Sequence, residues 1–417
     1  MPPADFKRNE DLEKILEIAR RMAAAVDLDD LLQLIISRSV ELLDAERASL
    51  FLYEPGSNEL VSRVAIDADG IRFSAETGIA GATIRTGKTI NVPDAPSDPR
   101  FNPEIDRLTG FRTRNILSVP LRDHEDKLVG VLQVLNKKTG AFTQYDVDLA
   151  EALGAQAGVS LQRARLMEHF IRKQEMERAM KIARDIQRGL LPAGPPAIDG
   201  FDVAGFSEAA DETGGDIYDF LALPEGRWML LVADATGHGI GSALVIAETR
   251  AMLRAICLHA RNVPIVLETA NNLLAADLRE GRFVTCFMGL LDPQGASITY
   301  ASAGHGPMLF YSRRRSEFTR LAGTDVPLGI MTGVCYANAV ELKFQPGDFL
   351  AVTTDGFFEA ENAAREQFGV DRMIELMRRG RDLPAADMIE SIRKAVAEFT
   401  SGRPQADDLT AIVIRKE

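Results

Sequence analysis

Aspartates at the ends of apolar runs are the residues of this 417-residue chain most suited to chemistry. Asp216 follows Gly214 and Gly215 in TGGDIYDF. Asp234 closes the apolar run of LLVADATGHG, and Asp355 closes that of LAVTTDGFFEA. Asp407 and Asp408 open QADDLTAIVI. An apolar strand holds its backbone rigidly, so a carboxylate at its end projects from the rim of a sheet. Several such rims together concentrate negative charge, and close carboxylates raise one another's pKa unless a cation sits among them. Hard divalent cations with oxygen ligands answer that need, Mg2+ or Mn2+ first. The neighbouring glycines allow tight turns and close backbone approach. One Asp-Gly pair alone reads as an ordinary turn; four such places in one region point towards a metal only when joined to a family resemblance.

The elements that must position these residues lie in 192–417. WMLLVADAT, VTCFMGLLD, ASITYASAG, ANAVELKF, DFLAVTTDG and DLTAIVIRK read as strands. Helices are expected around 241–260, 263–278, 369–379 and 385–399. Strand pairs with helices gathered between them predict a β-sandwich covered by helices.

The preceding residues divide in two. Over 10–160, helical spacing in EDLEKILEIARRMAA and LDDLLQLIISRSVELLDA gives way to the strand-like ASLFLYE, LVSRVAI, ILSVPLR and LVGVLQVLNK. This pattern predicts a compact α/β domain of sensory type. Residues 145–191 read as one long helix. Its narrow apolar stripe is Leu149, Leu153, Leu166, Phe170, Ala179, Ile182, Ile186 and Leu190, with Met176 filling a gap. Such a stripe pairs with another helix, either as a dimeric coiled coil with a second chain or against its own domain. The prolines of LLPAGPP end it.

The net charge of −13 argues against nucleic acid or an anionic membrane as the main partner. Cys257, Cys286 and Cys335 form no CxxC pair, which fits a reducing cytoplasm. MPPADFKRNEDLEK lacks the apolar core of a signal peptide, and no run approaches the ~18 apolar residues of a membrane span.

GGDIYDF, DATGHGIGSAL, AGHGPML, VPLGI, TTDGFFEAEN, Phe368-Gly369 and DDLTAIVI occur in the order seen in bacterial PP2C-type serine/threonine phosphatases, the SpoIIE and RsbU group. The resemblance covers residues ~185–417, including the entering helix ARDIQRGLLP. It departs only at Thr213 and at Ala235-Thr236, where no carboxylate is lost. It implies an αββα sandwich in a chain of overall α+β class. Asp216, Asp234, Asp355 and Asp407 would be catalytic and metal-binding, with the Ala235 carbonyl as a further ligand. Asp408, Asp219 and Glu212 would support the site from behind. The implied reaction is hydrolysis of a phosphomonoester by water activated between two Mn2+ or Mg2+ ions about 3.5–4 Å apart. The implied partner is a phosphorylated protein, an anti-sigma factor antagonist being the family's usual substrate. His238 and His305, each in Gly-His-Gly, read as turn histidines ahead of general acids.

ERASLFLYE, GIAGATIRTGKTINVPD, DPRFNPEIDRLTGFRTRNILSVPL and VGVLQVLNKKTGAFTQYDVDL resemble a GAF domain. The cyclic-nucleotide signature of such domains is represented by Asn136, Lys137, Phe142 and Asp146, but Val147 replaces its final Glu. This leaves open a cyclic nucleotide, another small ligand, or a structural Lys137–Asp146 pair with no ligand. The region has no cysteine for a covalent tetrapyrrole. The joined expectation is a phosphatase regulated by a GAF sensor and dimeric through its linker. Its rivals are a catalytically degenerate dimeric scaffold and a small-molecule sensor with a vestigial phosphatase. A diguanylate cyclase is disfavoured because Ile217 and Tyr218 break the Gly-Gly-Asp/Glu-Glu-Phe signature.

Overall fold

The computed structural model describes residues 3–25, 27–62, 72–103, 106–107, 110–278 and 281–417. They form two compact units, divided in sequence between Met176 and Glu177.

The first unit is built on an antiparallel sheet of order β3-β2-β1-β6-β5-β4. Its strands are β1 (Ala45–Glu54), β2 (Glu59–Val61), β3 (Arg72–Ser74), β4 (Ile90–Val92), β5 (Ile116–Arg122) and β6 (Leu128–Lys137). Alternation along β1 serves two cores. Leu50 and Leu52 meet α1 (Pro3–Ala24), α2 (Leu28–Leu42) and the start of α4 (Gln144–Arg188), while Phe51 meets α3 (Gly78–Thr86). Asp27 caps α2 by accepting from the amides of Asp29 and Asp30 at 2.9 and 3.0 Å. Of LVSRVAI, β2 takes the first residues, and 63–66 lie outside the described residues.

The helix α4 plays two roles along its length. Leu153, Ala157, Leu161 and Ala164 are buried in the first unit's core. Beyond them, Leu166, Phe170, Met176, Ile182 and Ile186 stand 57–64% exposed. No helix among the described residues is long and apolar enough to cross a membrane.

The second unit stacks two five-stranded sheets. One has the order β14-β11-β10-β9-β8 and the other β13-β12-β15-β16-β7. In chain order the strands are β7 (Phe201–Glu208), β8 (Asp216–Ala222), β9 (Trp228–Ala235), β10 (Val284–Asp292), β11 (Ser297–Ala303), β12 (Met308–Ser312), β13 (Glu317–Leu321), β14 (Val340–Lys343), β15 (Phe349–Thr353) and β16 (Leu409–Lys416). Tyr218, Leu230, Val232, Phe287, Leu350, Val352 and Ile412 fill the space between the sheets. On the outer face of the first sheet, Leu231 and Ala233 pack under α5 (Ile240–Cys257) and α6 (Val263–Asp277). On the outer face of the second, Phe349 and Ala351 pack under α8 (Val370–Arg379) and α9 (Ala385–Thr400). The short α7 (Gly356–Glu359) begins where β15 ends. Strands covered on both faces need apolar side chains at successive positions, which is why β9 and β15 read as unbroken apolar runs.

Candidate metal centre

Strand pairing brings the predicted aspartates together from both sheets. Asp216, the first residue of β8, is the register partner of Asp234 on β9. From the facing sheet, Thr354 donates its hydroxyl to Asp216 Oδ2 at 2.7 Å. Asp355 follows it directly before α7, while Asp407 and Asp408 precede β16, the neighbour of β15. Asp216 is 6% exposed, and Asp407 lies on the exposed rim.

Among the described residues, no ion pair compensates the charge of these carboxylates. Burial, then Asp234 and Asp408, push Asp216 well above the usual carboxylate range, against hydrogen bonds from Thr354 and Thr410. Burial, then Asp355 and Asp407, push Asp234 up to about 7, against a hydrogen-bonding contact with Asp216. Asp355 is raised by burial and then by Asp407 and Glu359. Among the described residues, no three His, Cys, Asp or Glu side chains converge into a finished cage. The donor set nevertheless fits hard divalent cations. It is all oxygen, it is crowded, and its charge is relieved only by protons or a cation.

Asp408 adds its charge to this cluster and spends its oxygens on backbone amides. It accepts from the amides of Ala210 at 2.8 Å, Gly215 at 2.5 Å and Asp216 at 3.3 Å, so it holds the Gly-Gly turn from behind. Two glycines permit the closeness. A Cβ on Gly215 would lie 2.7 Å from the Ala235 carbonyl oxygen, the predicted backbone ligand, and one on Gly356 would lie 2.0 Å from the Asp408 carbonyl oxygen. No side chain can be added at either place without moving the backbone of the site.

The other singled-out residues separate by contact. Asp219, 2% exposed, receives Arg254 Nε at 2.6 Å and lies 2.9 Å from Arg250 Nε, so it ties β8 to α5. His238 is exposed, 3.5 Å from Asp211. His305 is buried, and burial lowers its pKa to about 4. Its Nδ1 lies 3.0 Å from the hydroxyl of Thr285, the register partner of Asp234. It is a neutral structural group beneath the site. Sequence reasoning passed over Thr354 and Gln187. The amide of Gln187, at the end of α4, donates to the Gly214 carbonyl at 2.5 Å and accepts from the Gly214 amide at 3.0 Å. Arg184 Nε donates to the Glu212 carbonyl at 2.9 Å. Both residues line a cavity of about 550 Å3 that reaches Asp216 and Asp408. The only sequence signal for Thr354 is a polar residue adjoining Asp355 at the end of an apolar run.

In the first unit, Asn136, Lys137, Phe142 and Asp146 come together around one another. Lys137 Nζ donates to Asp146 Oδ1 at 2.7 Å and to the Leu43 carbonyl at 3.0 Å, and lies 5.9 Å from the Phe142 ring centroid. Asn136, at a φ of 58°, accepts from the Arg114 amide and donates to Glu46 and the Arg112 carbonyl. None of the four lines a cavity of about 670 Å3 in this unit, whose wall includes Phe51, Phe73, Phe111, Arg47, Ser49 and Gln133.

Residues 224–417 match the family model of stage II sporulation protein E, SpoIIE, and residues 27–161 match that of the GAF domain. The SpoIIE match begins after Asp216, whose place therefore rests on its pairing with Asp234. Among curated proteins, the chain is similar to the dual 3′,5′-cyclic-AMP and -GMP phosphodiesterase 11 of Drosophila melanogaster, 31% identical over 183 residues. It is also similar to the probable 3′,5′-cyclic phosphodiesterase pde-5 of Caenorhabditis elegans, 31% identical over 179 residues. Each similarity covers 39% of this chain, and 13% and 24% of the respective relatives. Among solved structures, the SiaA-PP2C domain of Pseudomonas aeruginosa shares the fold at a TM-score of 0.52 and 20% identity, over 59% of this chain and 98% of that one.

Proposed function

We propose that this chain, a GAF domain followed by a SpoIIE-type PP2C phosphatase domain, is a metal-dependent protein serine/threonine phosphatase. The observation that carries the reading is the crowding of Asp216, Asp234, Asp355 and Asp407 from two sheets with no cationic partner among them. These four, with the Ala235 carbonyl, would hold two Mn2+ or Mg2+ ions. When bound, the ions would supply hydroxide from water at neutral pH and offset charge on the phosphoryl group. The chain's own part is positional. Thr354 aims Asp216, Asp408 fixes the turn that precedes it, and Gly215 lets the Ala235 carbonyl come close. No cysteine or serine nucleophile is required. The substrate is a phosphoserine or phosphothreonine on a protein, of the anti-sigma factor antagonist class.

Regulation runs through α4. Its exposed stripe from Leu166 to Ile186 suits pairing with a second copy, and its last turns reach the Gly-Gly turn through Gln187. The cavity of the GAF domain takes a small ligand. A cyclic nucleotide is one candidate, a reading supported by the phosphodiesterase relatives. Three unpaired cysteines support a reducing cytoplasmic compartment.

The test is hydrolysis of p-nitrophenyl phosphate by the full chain with Mn2+ or Mg2+, beside Asp216→Asn and Asp355→Asn. Metal-dependent activity that disappears in both variants is expected. A folded, metal-loaded chain and 177–417 fragment that both remain inactive would establish the scaffold reading instead.

A further inference from the structure

A phosphomonoester approaching this site carries nearly two negative charges at neutral pH and meets a rim of carboxylates. Arginine is the side chain best shaped to orient it, because its planar fork gives two parallel hydrogen bonds to phosphate oxygens. Arg282, close to the loop that leaves Asp234, is an arginine with no assigned role.

Arg282 lies in the segment leading into β10. The next residue, Phe283, is locked to Thr236: the Thr236 amide donates to the Phe283 carbonyl at 3.0 Å, and the Phe283 amide donates to Thr236 Oγ1 at 3.1 Å. Beyond it, Val284 and Thr285 are the register partners of Ala235 and Asp234. Arg282 is thus held alongside the loop that leaves Asp234. Its guanidinium crosses the first turn of α5, with Nη2 and Nη1 3.2 and 3.3 Å from where a Cβ on Gly241 would sit. The adjoining Ser242 Cβ is 3.2 Å from the corresponding point on Gly215, which directly precedes Asp216. One turn of helix therefore separates the guanidinium from the backbone of the carboxylate cluster. That turn carries no acidic residue. Arg282 is exposed and forms no ion pair among the described residues. The arginines at 250 and 254, by contrast, are occupied by Asp219.

We propose that Arg282 binds and orients the substrate's phosphoryl group, its fork taking two non-bridging oxygens. The inference rests on the phosphatase reading for its substrate. It adds the residue that recognises the phosphate independently of the metal ligands.

The experiment compares wild type, Arg282→Ala and Arg282→Lys as full chains. One arm is steady-state hydrolysis of p-nitrophenyl phosphate and a phosphothreonine peptide. The other is calorimetric binding of inorganic phosphate to the Mn2+-loaded protein, preceded by a Mn2+ titration of each variant. Expected are unchanged Mn2+ affinity and a roughly 10- to 100-fold loss of phosphate affinity in Arg282→Ala, the range of a lost charge-assisted bond. KM should rise more than kcat falls, and Lys should restore only part, because it keeps the charge and loses the fork. Wild-type KM and phosphate affinity in Arg282→Ala would overturn the proposal, and full rescue by Lys would overturn the two-point fork. A wild type that binds phosphate through Arg282 yet hydrolyses nothing would sink the phosphatase reading while leaving the anion site standing.

Discussion

The two units each gather buried polar residues that a sequence reader singles out, and they treat the charge in opposite ways. Around Asp146 in the first unit, every charge meets its complement: the Lys137 ammonium on one oxygen, the Thr143 amide and hydroxyl on the other at 2.7 and 2.8 Å. Burial alone would raise its pKa, but Lys137 and the Thr143 donors outweigh it and hold Asp146 below the usual carboxylate range. Around Asp234 in the second unit, the neighbours are more carboxylates, and the pKa is pushed up to about 7. A polar cluster that satisfies itself braces the fold. One that does not is built for something that arrives from outside.

The comparison can be broken by neutralising one carboxylate in each cluster and melting the two units separately within the full chain. The largest effect is expected from Asp146→Asn, which strands a nearly buried ammonium. The first unit should lose about 3–5 kcal/mol, the usual cost of removing one partner of a buried pair. A loss under 1 kcal/mol would mean that the pair is ornamental and the residues are free to serve a ligand. Next comes metal: wild type should gain about 2.7 kcal/mol in the second unit at Mn2+ a hundredfold above its Kd, and Asp216→Asn should forfeit that gain. Smaller still, Asp216→Asn without metal should melt slightly higher than wild type, since it removes repulsion while its amide oxygen can still accept from Thr354. A less stable metal-free variant would contradict the uncompensated cluster.

Acid sharpens the same contrast through its sign. Asp146 has a folded-state pKa below its unfolded value, so its contribution is present above about pH 4 and is lost as pH falls through the depressed value. Asp234 has a raised folded-state pKa. The metal-free second unit should therefore lose stability as pH rises from about 4 towards 7, while the folded carboxyl keeps its proton. Melting curves in chelator check both slopes, below about pH 4 for the first unit and from about pH 4 to 7 for the second; parallel slopes would reject the distinction.

Much of this was legible beforehand for a simple reason. β5, β6 and β10 fall where their apolar runs lie, because their side chains alone demand burial. The aspartates at strand ends were conspicuous because they interrupt those runs. β7, β8, β12 and β13 were not singled out. β8 contains two buried aspartates, and nothing in DIYDFLA announces that Arg250 and Arg254, a helix away, make Asp219 tolerable there. The stripe along 145–191 was visible as one feature. Its division into a buried part ending near Ala164 and an exposed part beyond was not.

By itself, then, the sequence determined which residues carry charge, which segments must be buried, and that several carboxylates stand at the ends of such segments. Those properties follow from local chemistry and periodicity. Only the tertiary structure decided who meets whom: Asp216 opposite Asp234, Thr354 arriving from the other sheet, Asp408 turned to the backbone, Arg282 laid across Gly241. Whether a charged group braces the protein or waits for a ligand depends on its partners. In this chain those partners are mostly far away in sequence, and sheet pairing and stacking bring them within a few ångströms.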